Sequence, residues 1–174
     1  ASSNQLVELI HTTLSAKEGN YLIFFPSYAY LEMIFEKFRR RDPDRLVVRQ
    51  LRDMTDADRD EFIKAFDDSL RPICGFAVMG GAFSEGIDLK GEALIGAVVV
   101  GVGLPQIGIE RDLIKQHFPD HGFEYAYQYP GIIKVLQTAG RVIRDEADRG
   151  IVCLVDSRYL EHRYASLLPA EWLP

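Results

Sequence analysis

Four stretches of this chain are apolar almost without interruption and only strand-length: Tyr21–Phe25, Ile73–Met79, Ile95–Val102 and Ile151–Val155. A strand with one wet face alternates apolar and polar side chains. Runs like these instead demand cover on both faces, as in a parallel sheet with a helical layer on each side. The segments between them carry helical spacing. Leu6, Val7, Ile10 and Leu14 share a stripe within a helix expected over 4–17, which Gly19-Asn20 ends. Pro26-Ser27 separates the first run from a helix expected from Tyr28 to about Arg40, and a short strand follows at Leu46–Val48. Further helices are expected over 55–69, 105–118 and 130–145. In the first of these, Thr55 stands three residues before Asp58 as a relative of the capping box, and Phe62, Ile63, Phe66 and Leu70 are expected to point inward. The reading is an α/β fold, a mainly parallel sheet covered by helices on both faces.

The chain has 174 residues, enough for one domain, 1–174, with no linker dividing it and no internal repeat. Hydrophobic residues make up 47% and charged residues 26%, which excludes collagenous, mucin-like and wholly disordered classes. The net charge of −6 excludes a bulk positive field, so any phosphate contact must be local. The run Arg39-Arg40-Arg41 before Asp42, Asp44 and Arg45 reads either as a phosphate patch or as a solvated helix end. Cys74 and Cys153 lie in apolar runs without CxxC spacing, so neither a metal site nor a disulfide is expected. No apolar run reaches the roughly 18 to 20 residues of a membrane span, and no signal-peptide pattern opens the chain. No membrane partner is expected, and the location expected is cytoplasmic. The chain begins Ala1-Ser2-Ser3 without Met, which fits either a removed initiator or a piece of a longer polypeptide.

Ligands of open parallel sheets bind beyond the carboxyl ends of the strands, which directs attention to the loops after each apolar run. In Phe24-Phe25-Pro26-Ser27-Tyr28 a strand delivers a hydroxyl and an aromatic ring to that edge as a helix begins. Ser27 can hold a phosphate there or simply cap the helix. Gly80-Gly81-Ala82-Phe83-Ser84-Glu85-Gly86-Ile87-Asp88 combines three glycines with two carboxylates. It can approach a ligand closely or be a turn with solvated acids. In Gln137-Thr138-Ala139-Gly140-Arg141-Val142-Ile143-Arg144, helical spacing puts Arg141 and Arg144 within about 40° of Gln137, spread over roughly 10 Å. They adjoin the apolar stripe of Ile132, Leu136, Ala139 and Ile143, and Pro130 opens the helix. A solvated basic face is the alternative.

Other patterns fail. Gly101-Val102-Gly103-Leu104-Pro105-Gln106 starts like GxGxxG but has Gln106 in place of the last glycine, and no GxxxxGK[ST] occurs. A stand-alone hydrolase built on Asp156 or Glu161 with His162 lacks a nucleophile, and Glu161 and His162, as helix neighbours, point apart. His11, His117 and His121 read as surface or loop residues.

Taken in order, FFPSY at 24–28, GGAFSEGIDLKG at 80–91, Gly103-Leu104-Pro105 after the next strand and QTAGRVIR at 137–144 resemble motifs IV, V and VI of the DinG/XPD helicases. The tail from Asp148 to Tyr159, ending Asp156-Ser157-Arg158-Tyr159, resembles the segment that follows motif VI in that family. The resemblance covers about Tyr21 to Trp172. It implies a RecA-like three-layer domain, the second of two motor domains, with the first motor domain absent from this chain. It further implies that Arg144, with Arg141 as the alternative finger, reaches ATP phosphates across the cleft, that Gln137, Glu85, Asp88 and Gly86 line the nucleotide side, and that Ser27, Tyr28 and Ser84 contact DNA. The expected partners are single-stranded or forked DNA and the first RecA-like domain of the same polypeptide. ATP and Mg²⁺ would be bound mainly by that first domain, which in many members also carries a four-cysteine iron–sulfur cluster. No metal ligand is expected in this chain. The isolated chain is expected to be inactive, because it carries neither Walker element. The competing function is a non-catalytic nucleotide- or protein-binding module on the same scaffold.

Overall fold

The computed structural model describes residues 2–81, 83, 94–140 and 150–172. Strands β1 (Tyr21–Phe25), β2 (Leu46–Arg49), β3 (Ile73–Val78), β4 (Gly96–Val100) and β5 (Ile151–Val155) form one sheet in the order β2-β3-β1-β4-β5. Every neighbouring pair is parallel. Helices α1 (Ser3–Ala16), α2 (Tyr28–Arg41), α3 (Asp56–Asp68), α4 (Ile109–His117), α5 (Tyr129–Ala139) and the short α6 (His162–Ala165) alternate with the strands.

The central strand shows why its sequence is unbroken in apolarity. All five β1 residues are fully buried. Tyr21, Ile23 and Phe25 pack with Leu6, Ile10, Ile34 and Phe38 of α1 and α2. Leu22 and Phe24 point the other way, into a second core with Phe62 and Phe66 of α3 and Ile132 and Val135 of α5. Successive strand side chains alternate between faces, so a strand covered on both sides needs apolar residues at every position. This is the three-layer α/β arrangement expected from the sequence.

Caps fix where the helices start. Ser2 and Gln5 form a reciprocal capping box on α1, and Thr55 and Asp58 do the same on α3. The Asp58 carboxyl is held below its usual range, first by the Thr55 hydroxyl. Phe62 and Phe66 of α3 are buried as expected. Leu70 is not: α3 ends at Asp68 with extended Ser69 as its cap, and Leu70 is fully exposed. The helical stripe cannot reach a residue beyond the helix. The helix expected over 105–118 is shorter, because Gly108 is extended and acts as its N-cap. His11 lies on α1 rather than in a loop, where its Nδ1 is 3.3 Å from Asp42 Oδ2. Asp42 also accepts from Arg45 at 2.8 Å; of the basic run closing α2, Arg41 pairs with Glu8 and Arg39 lies 6.0 Å from the Phe35 centroid.

Between α4 and α5 a π-helical turn, Glu124–Gln128, leads without a break into α5, whose first turn carries Pro130. Here helix and strand meet backbone to backbone. A β-carbon on Gly131 would lie 2.5 Å from the Val102 carbonyl oxygen, and one on Gly103 would lie 2.6 Å from the Gly131 carbonyl oxygen. Gly103 also has φ +66°, which disfavours any side chain. The GxG after β4, which fails as a nucleotide fingerprint, thus serves helix packing.

Beyond β5, Asp156 caps a 3₁₀ turn (Ser157–Leu160), accepting from Arg158 N–H at 3.0 Å. It also accepts two guanidinium bonds from Arg158, at 2.9 and 2.8 Å. The side-chain bond from Arg158 is the first cause holding the Asp156 carboxyl below its usual range. Buried Tyr159 donates to the Gly101 carbonyl at 2.8 Å, tying this turn back to the end of β4.

Two stability outcomes are expected. Gly131→Ala should destabilise by about 1 to 3 kcal/mol, since backbone must move to admit the methyl, even though Ala is about 1 kcal/mol the better helix former. Gly108→Ala, with nothing within 4 Å of the place a β-carbon would take, should cost less, only the preference of about 0.5 to 1 kcal/mol for Gly over Ala at an N-cap. Urea unfolding of both variants checks this, and equal midpoints would refute the packing role. Asp156→Asn keeps the cap but loses the charge pair, at a cost of about 0.5 to 1 kcal/mol at pH 7, with Arg158 about a third exposed. A carboxyl held low contributes its stability above its unfolded value of about 3.9 and loses it as pH falls through the folded one. The gap between wild type and Asp156→Asn should therefore close as pH falls below about 4; a constant gap down to about pH 2 would show that the charge contributes nothing.

Candidate functional site

Register determines what gathers at the carboxyl edge of the sheet. Phe25 of β1 stands opposite Val78 of β3, and Phe24 stands opposite Val99 of β4. The loops that begin at Pro26, Met79 and Gly101 therefore emerge side by side, although about 75 residues of sequence separate the first from the last. Two ladder-like bonds extend this edge, Met79 N–H to Phe25 O at 2.9 Å and Gly101 N–H to Val155 O at 3.1 Å. A cavity of about 470 Å³ opens beside it, lined by Pro26, Tyr30, Gly101, Gly103, Asp156 and Arg158 among others.

At the end of β1, Ser27 is the N-cap of α2 and accepts from Tyr30 N–H at 3.3 Å. The capping reading of Ser27 is thus realised. Tyr28, the first residue of α2, is half-buried. Its hydroxyl accepts from the Gln50 side-chain N–H at 2.9 Å. The other end of the same amide accepts from Val78 N–H at 2.9 Å, and the Gln50 backbone N–H donates to Phe76 O at 2.8 Å. Gln50 is 5% exposed. One buried amide thereby joins the ends of β2 and β3 to the aromatic ring after β1. A buried amide costs least when its polar atoms are all engaged, which makes this a stiff joint. The Arg52 guanidinium lies 5.2 Å from the centroid of the Tyr28 ring.

After β3 the chain turns at Gly80, whose φ of +71° favours glycine. The Lys134 stem of α5 packs there: a β-carbon on Gly80 would lie 3.2 Å from Lys134 Cε. Helix α5 therefore starts against Gly103, at the end of β4, and its Lys134 side chain reaches Gly80, at the end of β3. Gln137 follows one turn beyond Lys134 and is exposed. The described part of α5 ends at Ala139, with Gly140 as its cap.

Of the residues singled out in the sequence, Ser27, Tyr28 and Gln137 sit on this edge or on α5. Ser84, Glu85, Gly86, Asp88, Arg141 and Arg144 lie outside the described residues. Sequence reasoning missed Gln50 and Arg52. The signal available was their position immediately after Leu46–Arg49, since the same attention to post-strand loops applied to β2 as to the other strands. Among the described residues no group of three or more His, Cys, Asp or Glu side chains is arranged to hold a metal ion. Both cysteines are free, and burial raises both thiols. No helix among the described residues is long and apolar enough to cross a membrane.

Comparison with known proteins agrees with this geometry. The profile described as the helicase C-terminal domain matches residues 10–174. The chain is 27% identical over 167 residues to the ATP-dependent DNA helicase YoaA of Haemophilus influenzae, covering 92% of this chain and 24% of that protein. It is 28% identical over 182 residues to the ATP-dependent DNA helicase CHL1 of Candida glabrata, covering 93% of this chain and 22% of that protein. The chain thus spans about a quarter of the length of these relatives. Among solved structures an apo XPD superposes with a TM-score of 0.77 at 20% identity, over 96% of this chain and 35% of that one. The C-terminal domain of the DEAD-box protein Dbp5 superposes with a TM-score of 0.54. The sheet is accordingly that of a RecA-like helicase domain, and the chain belongs to the helicase C-terminal domain family, on the DinG/XPD branch.

Proposed function

We propose that this chain is the second motor domain of an ATP-dependent DNA helicase, supplying arginines to an ATP cleft shared with a first motor domain and contacts to single-stranded DNA. The observation that carries the proposal is the course of α5. It starts against Gly103 at the end of β4, and its Lys134 side chain reaches Gly80, the first residue of the glycine-acid loop, with exposed Gln137 one turn further along the same helix. A loose phosphoryl-transfer transition state gains from guanidinium charge at the γ-phosphate, an effect worth about 10³ to 10⁵ in rate in well-studied NTPases. Arg144 is assigned that role and Arg141 the adjoining one, with Gln137, Glu85, Asp88 and Gly86 on the nucleotide side of the cleft. ATP and Mg²⁺ would be held mainly by the first domain. Ser27, Tyr28 and Ser84 are assigned to the DNA backbone, which fits the place of Ser27 and Tyr28 at the head of α2. Closure of the two domains on ATP and opening after hydrolysis would move this edge along the strand.

The test uses the full-length polypeptide. Arg144→Ala should lower kcat for DNA-stimulated ATP hydrolysis by about 10³-fold, with the thermal midpoint and the KM for ATP little changed. Turnover at the wild-type rate would remove the finger assignment. Tight ATP binding by residues 1–174 alone would favour the non-catalytic module instead.

A further inference from the structure

Six described arginines, Arg41, Arg45, Arg49, Arg59, Arg158 and Arg163, each pair with a carboxylate within 4 Å. Arg52 is different. It stands at the carboxyl edge, two residues beyond buried Gln50, and is exposed. Among the described residues it has no carboxylate at ion-pairing distance, and its guanidinium instead rests 5.2 Å from the Tyr28 ring centroid. The ring beneath it is not free to move, because its hydroxyl is bonded to the Gln50 amide, and that amide is bonded in turn to the end of β3. An arginine placed this way keeps its charge and its fork of donors for a ligand, and loses less freedom on binding than a side chain free in water.

We propose that Arg52 is a phosphate ligand for single-stranded DNA, held on the Tyr28 ring, with Gln50 as the positioning residue. The inference rests on the function proposed above and adds to it a contact from the loop after β2. The chemistry recognised is a phosphate. A strand phosphodiester is favoured over a nucleotide phosphate because Arg52 lies beside β2, the edge strand next to β3, whereas α5 approaches Gly80 from the β4 side. Ser27 at the head of α2 places a further hydroxyl beside Tyr28 for the same backbone.

The experiment titrates labelled oligo-dT with the full-length protein across a series of potassium chloride concentrations, in parallel with the KM for ATP. Each phosphate neutralised on a single strand contributes about 0.7 to the slope of log K against log salt. Arg52→Gln should lower that slope by about 0.7 and leave the KM for ATP unchanged, while Arg52→Lys should restore most of the slope. Gln50→Leu should lower the slope in the same direction, because the platform is released. If that variant fails to fold, the exposed Arg52 variants carry the test by themselves. A wild-type protein without measurable oligo-dT affinity overturns both this inference and the DNA half of the proposed function. A wild-type protein that binds, with Arg52→Gln showing the same slope, overturns this inference alone. So does an Arg52→Gln variant whose KM for ATP rises while the DNA slope stays put, since the guanidinium would then belong to the nucleotide.

Discussion

The backbone contact between Gly131 and the Val102–Gly103 peptide sets the layout of the whole carboxyl edge. No side chain separates helix from strand there, so α5 lies closer to the sheet than packed side chains would allow, with about 2.5 Å left for any β-carbon. Glycine in a helix costs about 1 kcal/mol relative to alanine, and that cost is accepted at the first turn of α5, where Pro130 has already fixed the backbone. The consequence is directional. Pressed against the end of β4, the helix brings the Lys134 side chain to Gly80 one turn later, at the end of β3. In sequence, Gly80 and Gly103 look like two unrelated turn glycines. In the fold both meet one helix.

A second joint, built from different chemistry, serves the other half of the edge. Gln50 is polar and almost wholly buried, yet both ends of its amide are engaged, one by Val78 and one by Tyr28. The starts of the loops after β1, β2 and β3 are thereby bonded to one amide, whereas α5 touches the chain at the ends of β3 and β4. Strand β3 belongs to both linkages. Through Val78 that strand is bonded to the Gln50 amide that also holds Tyr28, and at Gly80 the chain after it meets Lys134.

The strands are legible in the sequence because a sheet buried on two faces leaves no polar position to confuse the pattern, as in Tyr21–Phe25 and Gly96–Val100. The α3 start is legible from Thr55 and Asp58, a purely local signal. The same completeness hides other things. An all-apolar strand does not say which residues face which helices, so the division of β1 between two cores emerges only from the packing. Leu70 fits a helical stripe on paper but lies past the end of its helix, a matter decided by Ser69 leaving the helical region. The π-helical turn before α5 has no composition of its own. Ser27 and Tyr28 can be picked from their place after an apolar run, whereas Gln50 and Arg52 follow a strand only four residues long whose burial is partial, and the importance of Gln50 lies in bonds to residues 22 and 28 positions away.

A net charge of −6 looks at odds with the strand contact proposed above. Screening removes most of it. At physiological ionic strength the Debye length is about 8 Å, so a phosphate at the carboxyl edge responds to charges near that edge and little to the remainder of the surface. What counts is which local charges are already spent. Arg158 beside the cavity is bidentate on Asp156, and Arg49 is shared between Glu32 and Glu36, so neither has its full charge to offer. Arg52, set on an aromatic ring instead of a carboxylate, does. On the proposal for Arg52, pairing other guanidinium groups with acids while this one rests on a ring confines the attraction for a phosphate to one place on the edge.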